Sequence, residues 1–560
     1  MSISGSGFMP DKTFDFIVIG SGFGGSASAM RLAEKGYDVL VLERGKRFKD
    51  EDFPNTNWNL RKFLWNPALR LFGIQQITFL NDVMVMHGSG VGGGSLVYAN
   101  VLMEPDDSLF ETSGWRDLGD WKHILRPHYN TAKRMMGVTQ NPYSTPADDV
   151  LKRIAAAHGQ GSSFRLADVA VYFGEEGKEG QTVPDPYFGG DGPARAGCIQ
   201  NGRCMVGCRH NAKNTLVKNY LYFAEKWGAE IRAESEVVNI RPLAERQSDG
   251  ARYEVIYRQS TAIPFTHRNK IARTRNVVVS AHPLGTLRLL FRCRDETRTL
   301  PDLSPHLGKM VRTNSETIPG STSKDKSVDY SKGVAITSIF KLNEITHVEP
   351  VRYPEGSSFI SVLAGPMVSD SGGFFQQVAK IIWQGIRHPW DFLYVKFFSS
   401  WAKRTTILLV MQTQDSTMRV KLGRNFFTLF RKKLVTQLND GQTIAPPTAI
   451  SYGVTKEYAQ KTDGIPQVSM LEAMFKMPTT AHMLGGCSMG HTIEEGVVDT
   501  NCEVFNYPGL YVVDGSIVPA NPGINPSLTI LALAEYAMSH IPAKDGRELV
   551  PLMTEEQFNN

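Results

Sequence analysis

A chain of 560 residues is too long for one compact core, and its 41% hydrophobic and 21% charged residues place it among folded globular proteins rather than disordered or collagen-like ones. The formal charge of +5 is small for this length and no Lys/Arg block is sustained, so nucleic acid is not an expected partner. No run of about 18 apolar residues offers a membrane span, six cysteines are too few for a disulfide scaffold, and the start MSISGSGFMPDK lacks the features of a secretory signal; the expected location is the cytoplasm, with peripheral membrane contact open.

In chain order, residues 14–45 read strand, turn, helix, strand: FDFIVIG, then SASAMRLAEKG at helical spacing, then YDVLVLERG. The first strand runs into Gly20-x-Gly22-x-x-Gly25, and Glu43 closes the second strand. The first glycine permits the turn, the second lets backbone approach a pyrophosphate, and the third lets helix pack on strand, while the helix N-terminus offers N–H groups to the anion. Glu43 is placed to accept hydrogen bonds from a ribose. This unit binds a dinucleotide without saying which. A second glycine cluster, His87-Gly-Ser-Gly90-Val-Gly92-Gly93-Gly94-Ser95, provides another close backbone approach that a nicotinamide enzyme does not need.

From about Glu104 the sequence turns mixed, with helical patterns near 121–137 and 147–158, then a Gly/Pro-rich stretch before Cys198, Cys204 and Cys208. Strand patterns return near 230–258. Residues 311–474 alternate strand-like runs such as GVAITSIFKL with an aromatic segment from Phe374 to Trp401, read either as a helix packed on its own domain or as an interfacial lid for a lipid-like substrate. The last apolar blocks, LYVVDG and SLTILALAEYAM, read as strand and helix.

The segment GVGGGS, the loop AHMLGGCSMG and the closing LYVVDGSIVPANPGINPSLTILALAE stand in an order that resembles the glucose-methanol-choline (GMC) oxidoreductase family. Within it, DPYFGGDGPARAGC, GCRHNAKNTLVKNYL and RTNSETI resemble a bacterial sterol-oxidising group. The resemblance implies an α/β fold in which a Rossmann-like FAD-binding domain, expected at residues 1–105, 200–310 and 475–545, is interrupted by a mixed-sheet substrate or cap domain at 106–199 and 311–474, with 546–560 as a tail. It implies an FAD-dependent enzyme that takes a hydride from a bulky hydrophobic alcohol such as a 3β-hydroxysteroid. Dioxygen or an acceptor protein would then receive the electrons. A lyase or photodecarboxylase on the same fold, or a dehydrogenase of a polar alcohol or sugar, stays open.

By the same resemblance, His482 handles the hydroxyl proton with Asn525, a division of labour that suits a titrating imidazole and a neutral amide. Asp514, Gly515, Asn525 and Pro526 meet the flavin, as do Gly90, Gly92, Gly93, Gly94 and Ser95, and Val237 meets the adenine. Glu349 aligns with a glutamate that moves a steroid double bond, or is an ordinary surface acid. Cys198-x5-Cys204-x3-Cys208 resembles the three-iron, four-sulfur site of related glucose dehydrogenases; three reduced thiols, or a disulfide plus a free cysteine, fit the spacing equally. Two departures from the family pattern are Tyr98, where Asn is common, and His282, where Gly is usual.

Overall fold

The computed structural model describes residues 12–244, 247–263, 266, 268–369, 372–398, 400–414, 416–424, 430–438, 448–549 and 552. The run FDFIVI lies within β1 (Thr13–Ile19), whose last six residues are buried. That continuous burial marks a central strand covered on both faces, which an alternating pattern would not allow. Helix α1 (Phe23–Glu34) follows after a three-residue turn, and β2 (Val39–Leu42) returns parallel to β1.

These elements belong to a seven-stranded mixed sheet. Its order is Glu230–Arg232, β2, β1, Asn269–Val279, Tyr253–Gln259 and Ser235–Pro242, with Leu510–Val512 added to the end of Asn269–Val279. The strands at 230–232, 13–42 and 510–512 pair in parallel, whereas the three strands between 235 and 279 form an antiparallel meander. Helix Ser527–Ser539 packs on α1, so the end of the chain closes the same core as its beginning.

A second seven-stranded sheet is antiparallel throughout. It runs Ala364–Pro366, Gly464–Ser469, Gly320–Ser323, Thr405–Gln412, Thr346–Val351, Ser338–Asn343 and Arg165–Leu166. A small third sheet joins the hairpin Gln75–Phe79 and Met84–Gly88 to Thr479–Thr480. A large apolar cluster underlies the first sheet, and a separate one lies between the second sheet and the segments around residues 96–103 and 204–212. The cleft between these cores receives both glycine loops. Among the described residues, no helix is long and apolar enough to cross a membrane.

Candidate active site

The turn after β1 is built around glycine. Gly20 has φ +96°, and a Cβ there would sit 2.2 Å from Ser280 O. Gly22 instead faces open space, with nothing within 4 Å of where its Cβ would be. Glu43 holds this turn by accepting from Ser21 N at 3.1 Å, Ser21 Oγ at 2.8 Å and Gly45 N at 2.7 Å. The second loop lies directly over the first: a Cβ on Gly93 would be 2.6 Å from Gly22 Cα, and Gly92 N donates to Ser21 Oγ at 3.1 Å.

A cavity of about 640 Å³ runs from this cleft into the second core. Gly20, Gly22, Glu43, Gly93, Gly94, Val237, His482, Asp514, Gly515, Asn525 and Pro526 line it. Gly25, Gly90, Gly92 and Ser95 stand behind the wall. Gly25 packs on Gly20 O, and Ser95 Oγ donates to Gly92 O at 2.7 Å while accepting from Leu216 N at 3.1 Å. Asp514 accepts from Thr286 Oγ1 at 2.6 Å and Ser516 N at 2.8 Å, although burial still pushes its carboxyl above the ordinary value. The free N–H groups at the start of α1, the side-chain-free space at Gly22 and the buried, unpartnered Oδ1 of Asn525 suit a dinucleotide with a polar ring system.

The far half of the cavity is apolar, walled by Ile318, Ile336, Val351, Tyr353, Ile407 and Leu409. His482 stands at the junction of the halves, two residues after Thr479–Thr480, and its N–H donates to Thr480 Oγ1 at 2.9 Å. Its Nδ1 lies 2.7 Å from Glu316 Oε2. Glu316 is fully buried and also accepts from Ala481 N at 2.7 Å. Burial works to raise the Glu316 carboxyl, but His482, Thr480 and the Ala481 N–H outweigh it and hold the group below its ordinary value. Asn314 Nδ2 lies 3.2 Å from the same ring nitrogen and donates to Ile524 O at 2.9 Å, so Asn314 packs between the histidine and the segment that carries Asn525.

Glu316 and Asn314 had no assigned role in the sequence. They sit in RTNSETI, far from the AHMLGG loop, and the signal available was an acid and an amide two positions apart in a stretch that already carried the family resemblance.

Glu349 is fully buried on Thr346–Val351, one alternation from the cavity-lining Val351, with the Asn525 amide beside it. It is not a surface acid, and burial pushes it up to about 8, with the Asn525 amide opposing and the Glu316 carboxylate adding to the rise. His347, on the same face, fixes the loop that carries Asn525 through Nδ1 and Gly523 O at 3.0 Å.

His282 has φ +67°, the left-handed geometry that makes Gly common at such a turn, and its ring stacks on His87 at 4.6 Å and 11°. Burial, with Arg44 nearby, pushes it down to about 3, so the ring is neutral in the cleft wall. Tyr98 also lines the cavity, and its hydroxyl donates to Asn214 O at 2.8 Å.

Of the readings open for the three cysteines, the free thiols find support and the cluster finds none. Among the described residues no group of three or more His, Cys, Asp or Glu side chains is arranged to hold a metal ion. Cys198, Cys204 and Cys208 are free thiols packed in or against the second apolar core, and Cys198 Sγ accepts from Gln200 N at 3.4 Å. Burial pushes the Cys198 thiol up to about 12 and raises Cys204. Close spacing along the chain did not make the three sulfurs a ligand set.

Two nucleotide-type glycine loops and a carboxylate-bound imidazole facing an apolar chamber define a dinucleotide-dependent oxidoreductase. Residues 412–534 match the model of the GMC oxidoreductase C-terminal region, and residues 18–49 match an NAD(P)-binding Rossmann-like domain. The chain is 45% identical over 536 residues to the cholesterol oxidase of Acinetobacter baumannii, covering 96% of this chain and 95% of that one. It is 44% identical over 552 residues to the cholesterol oxidase of Mycobacterium tuberculosis, covering 96% and 93%. The pyridoxine 4-oxidase of Mesorbium loti superposes with a TM-score of 0.60 at 15% identity, covering 94% of this chain and 99% of that one, a likeness of fold alone. The chain belongs to the GMC oxidoreductase family, and FAD is the dinucleotide its cleft accommodates.

Proposed function

We propose that this enzyme oxidises the secondary hydroxyl of a 3β-hydroxysteroid such as cholesterol to the ketone, with dioxygen as the final electron acceptor. The observation that carries this reading is the His482–Glu316 pair opening onto an apolar chamber continuous with the dinucleotide cleft. FAD, when bound, supplies the acceptor for the hydride of the carbinol carbon. The chain's part is to hold the alcohol and move its proton. With Nδ1 engaged by Glu316, His482 presents Nε2 to the hydroxyl and takes its proton, and the buried carboxylate stabilises the imidazolium that results. Asn525 orients the oxygen through its amide without titrating. Gly20, Gly22, Gly93, Gly94, Val237, Asp514, Gly515 and Pro526 would hold the cofactor, with Glu43 at the ribose.

The similarity to two cholesterol oxidases supports the choice of substrate, as does a chamber that offers a sugar little polar contact. Glu349 gives the reading a second step: a buried carboxyl that is protonated or ionised near neutral pH can carry a proton across the ring and move a double bond into conjugation with the new ketone. The test is a substrate panel with product analysis. Cholesterol and other 3β-hydroxysteroids are expected to yield peroxide and a conjugated enone absorbing in the ultraviolet. Turnover of glucose or choline with none of any sterol would overturn the substrate assignment and leave the family intact.

A further inference from the structure

A helix on a water-soluble surface turns its apolar stripe inward. The helix Phe374–Arg387 does the opposite. Phe375 is 85% exposed, Trp383 62% and Ile386 67%, and Trp390, in the following helix Pro389–Leu393, is 78% exposed. Spacings of eight and three residues put Phe375, Trp383 and Ile386 on one face of the helix, and Trp390 adds a further exposed ring just past the break at His388. The inward side is carried by Gln377, which donates to Ser369 O at 3.1 Å, and by Ile381, which packs on the small cluster of Val368, Tyr452, Val468 and Ala473. The helix thus packs on its own domain by one side and leaves Phe375, Trp383 and Ile386 outward.

Two further observations identify what this stripe meets. From residue 372 to 404 there are five basic side chains and one acid, Asp391, which Lys324 pairs at 3.0 Å; Lys403 pairs with Glu355 at 3.1 Å and Arg404 bonds backbone carbonyls, while Lys380 and Arg387 lie on the striped helix itself. Large aromatic side chains with a cationic fringe suit the headgroup boundary of an anionic bilayer. The stripe is also joined to the chamber. Val395 and Trp401, just beyond it, are buried in the cluster that includes the chamber residues Ile336, Ile407 and Leu409. Lys396 Nζ donates to Ser361 O and Ala364 O, both at 2.6 Å, holding the turn that places Ile360 in the chamber wall.

We propose that the stripe carrying Phe375, Trp383, Ile386 and Trp390 docks the enzyme on the surface of an anionic lipid bilayer, with the outer scaffold of the chamber toward the lipid. This rests on the reading of the substrate as a bilayer-resident alcohol. Docking brings the chamber to the phase that holds the substrate, so that a sterol need not cross water.

The experiment uses FAD-loaded full-length enzyme and sterol-free vesicles of phosphatidylcholine, with and without about one third phosphatidylglycerol. Wild type is expected to float with the anionic vesicles and to shift its tryptophan emission to the blue. The double variant Trp383→Glu/Trp390→Glu should lose at least about tenfold in vesicle partition, while its turnover of detergent-dispersed sterol stays at the wild-type level. A wild type that does not float, or a double variant that floats equally well, overturns the proposal. So does a wild type that sediments as a dimer, with the variant monomeric and neither binding vesicles, because the stripe then meets a second copy. Stripe-dependent flotation without turnover of any sterol supports docking and instead sinks the substrate reading.

Discussion

His482 Nδ1 and Glu316 Oε2 lie 2.7 Å apart, and this contact decides which face of the imidazole is free. A buried carboxylate that accepts the Nδ1–H leaves the Nε2 lone pair for the substrate hydroxyl and favours the imidazolium once the proton has moved.

Replacing Glu316 with Gln should slow flavin reduction by alcohol about 10- to 100-fold, the usual cost of losing an orienting partner, with FAD content unchanged. The same variant has a signature in stability. The folded Glu316 carboxyl lies below its ordinary value, so its contribution is fully present above the unfolded carboxyl pKa of about 4.3 and is lost as pH falls through the folded value. Wild type should then lose more thermal stability than Glu316→Gln when both are taken from pH 7 to pH 3. Parallel melting curves and a wild-type rate of flavin reduction would show that the pair is incidental.

Glu349 has the opposite sign. Its folded carboxyl titrates near 8, well above the unfolded value of about 4.3, so between these two pH values the unfolded chain gives up a proton that the folded chain keeps. Folding is thereby opposed by up to about 1.4 kcal/mol for each pH unit in that window. Glu349→Gln should match wild type near pH 4 and be more stable than wild type by pH 8. It should also oxidise sterol to the unconjugated ketone and stop there. A variant that gains no stability with rising pH and still forms the conjugated enone would remove Glu349 from the account.

His282 separates two backbone and packing effects. At φ +67° a side chain costs about 1 kcal/mol relative to glycine, and the ring recovers part of that by stacking on His87. His282→Ala keeps the strain and loses the stack, whereas His282→Gly loses both. Urea titration should therefore find the alanine variant about 1 kcal/mol less stable than the glycine variant; equal midpoints would mean the turn relaxes in one of them.

Much of the cofactor cleft was legible because its requirements are local. Gly20, Gly22 and Glu43 sit within one strand-turn-helix-strand unit, and backbone proximity leaves a glycine signature in the sequence. His482 and Asn525 were recognisable through a family pattern rather than through any periodicity. Glu316 and Asn314 were not assigned, because a contact between the connecting segment 313–319 and the AHMLGG loop is made by tertiary folding alone. Glu349 could not be told from a surface acid for the same reason: burial of one residue on an alternating strand depends on which face meets the core. The three cysteines left a cluster and reduced thiols equally open, since nearness in sequence says nothing about where the sulfurs point. The outward stripe of Phe375 and Trp383 had the right periodicity, but periodicity does not say whether a face looks inward or outward.

The most direct test of the central claim is rapid mixing of the FAD-loaded enzyme with cholesterol under anaerobic conditions, following flavin absorbance in wild type and in His482→Ala. The account predicts prompt bleaching in wild type and a rate about 10²- to 10⁴-fold lower in the variant, the range for loss of a positioned proton acceptor, with equal flavin content in both. Bleaching at the wild-type rate in His482→Ala, or no bleaching of wild type by any sterol, would contradict it.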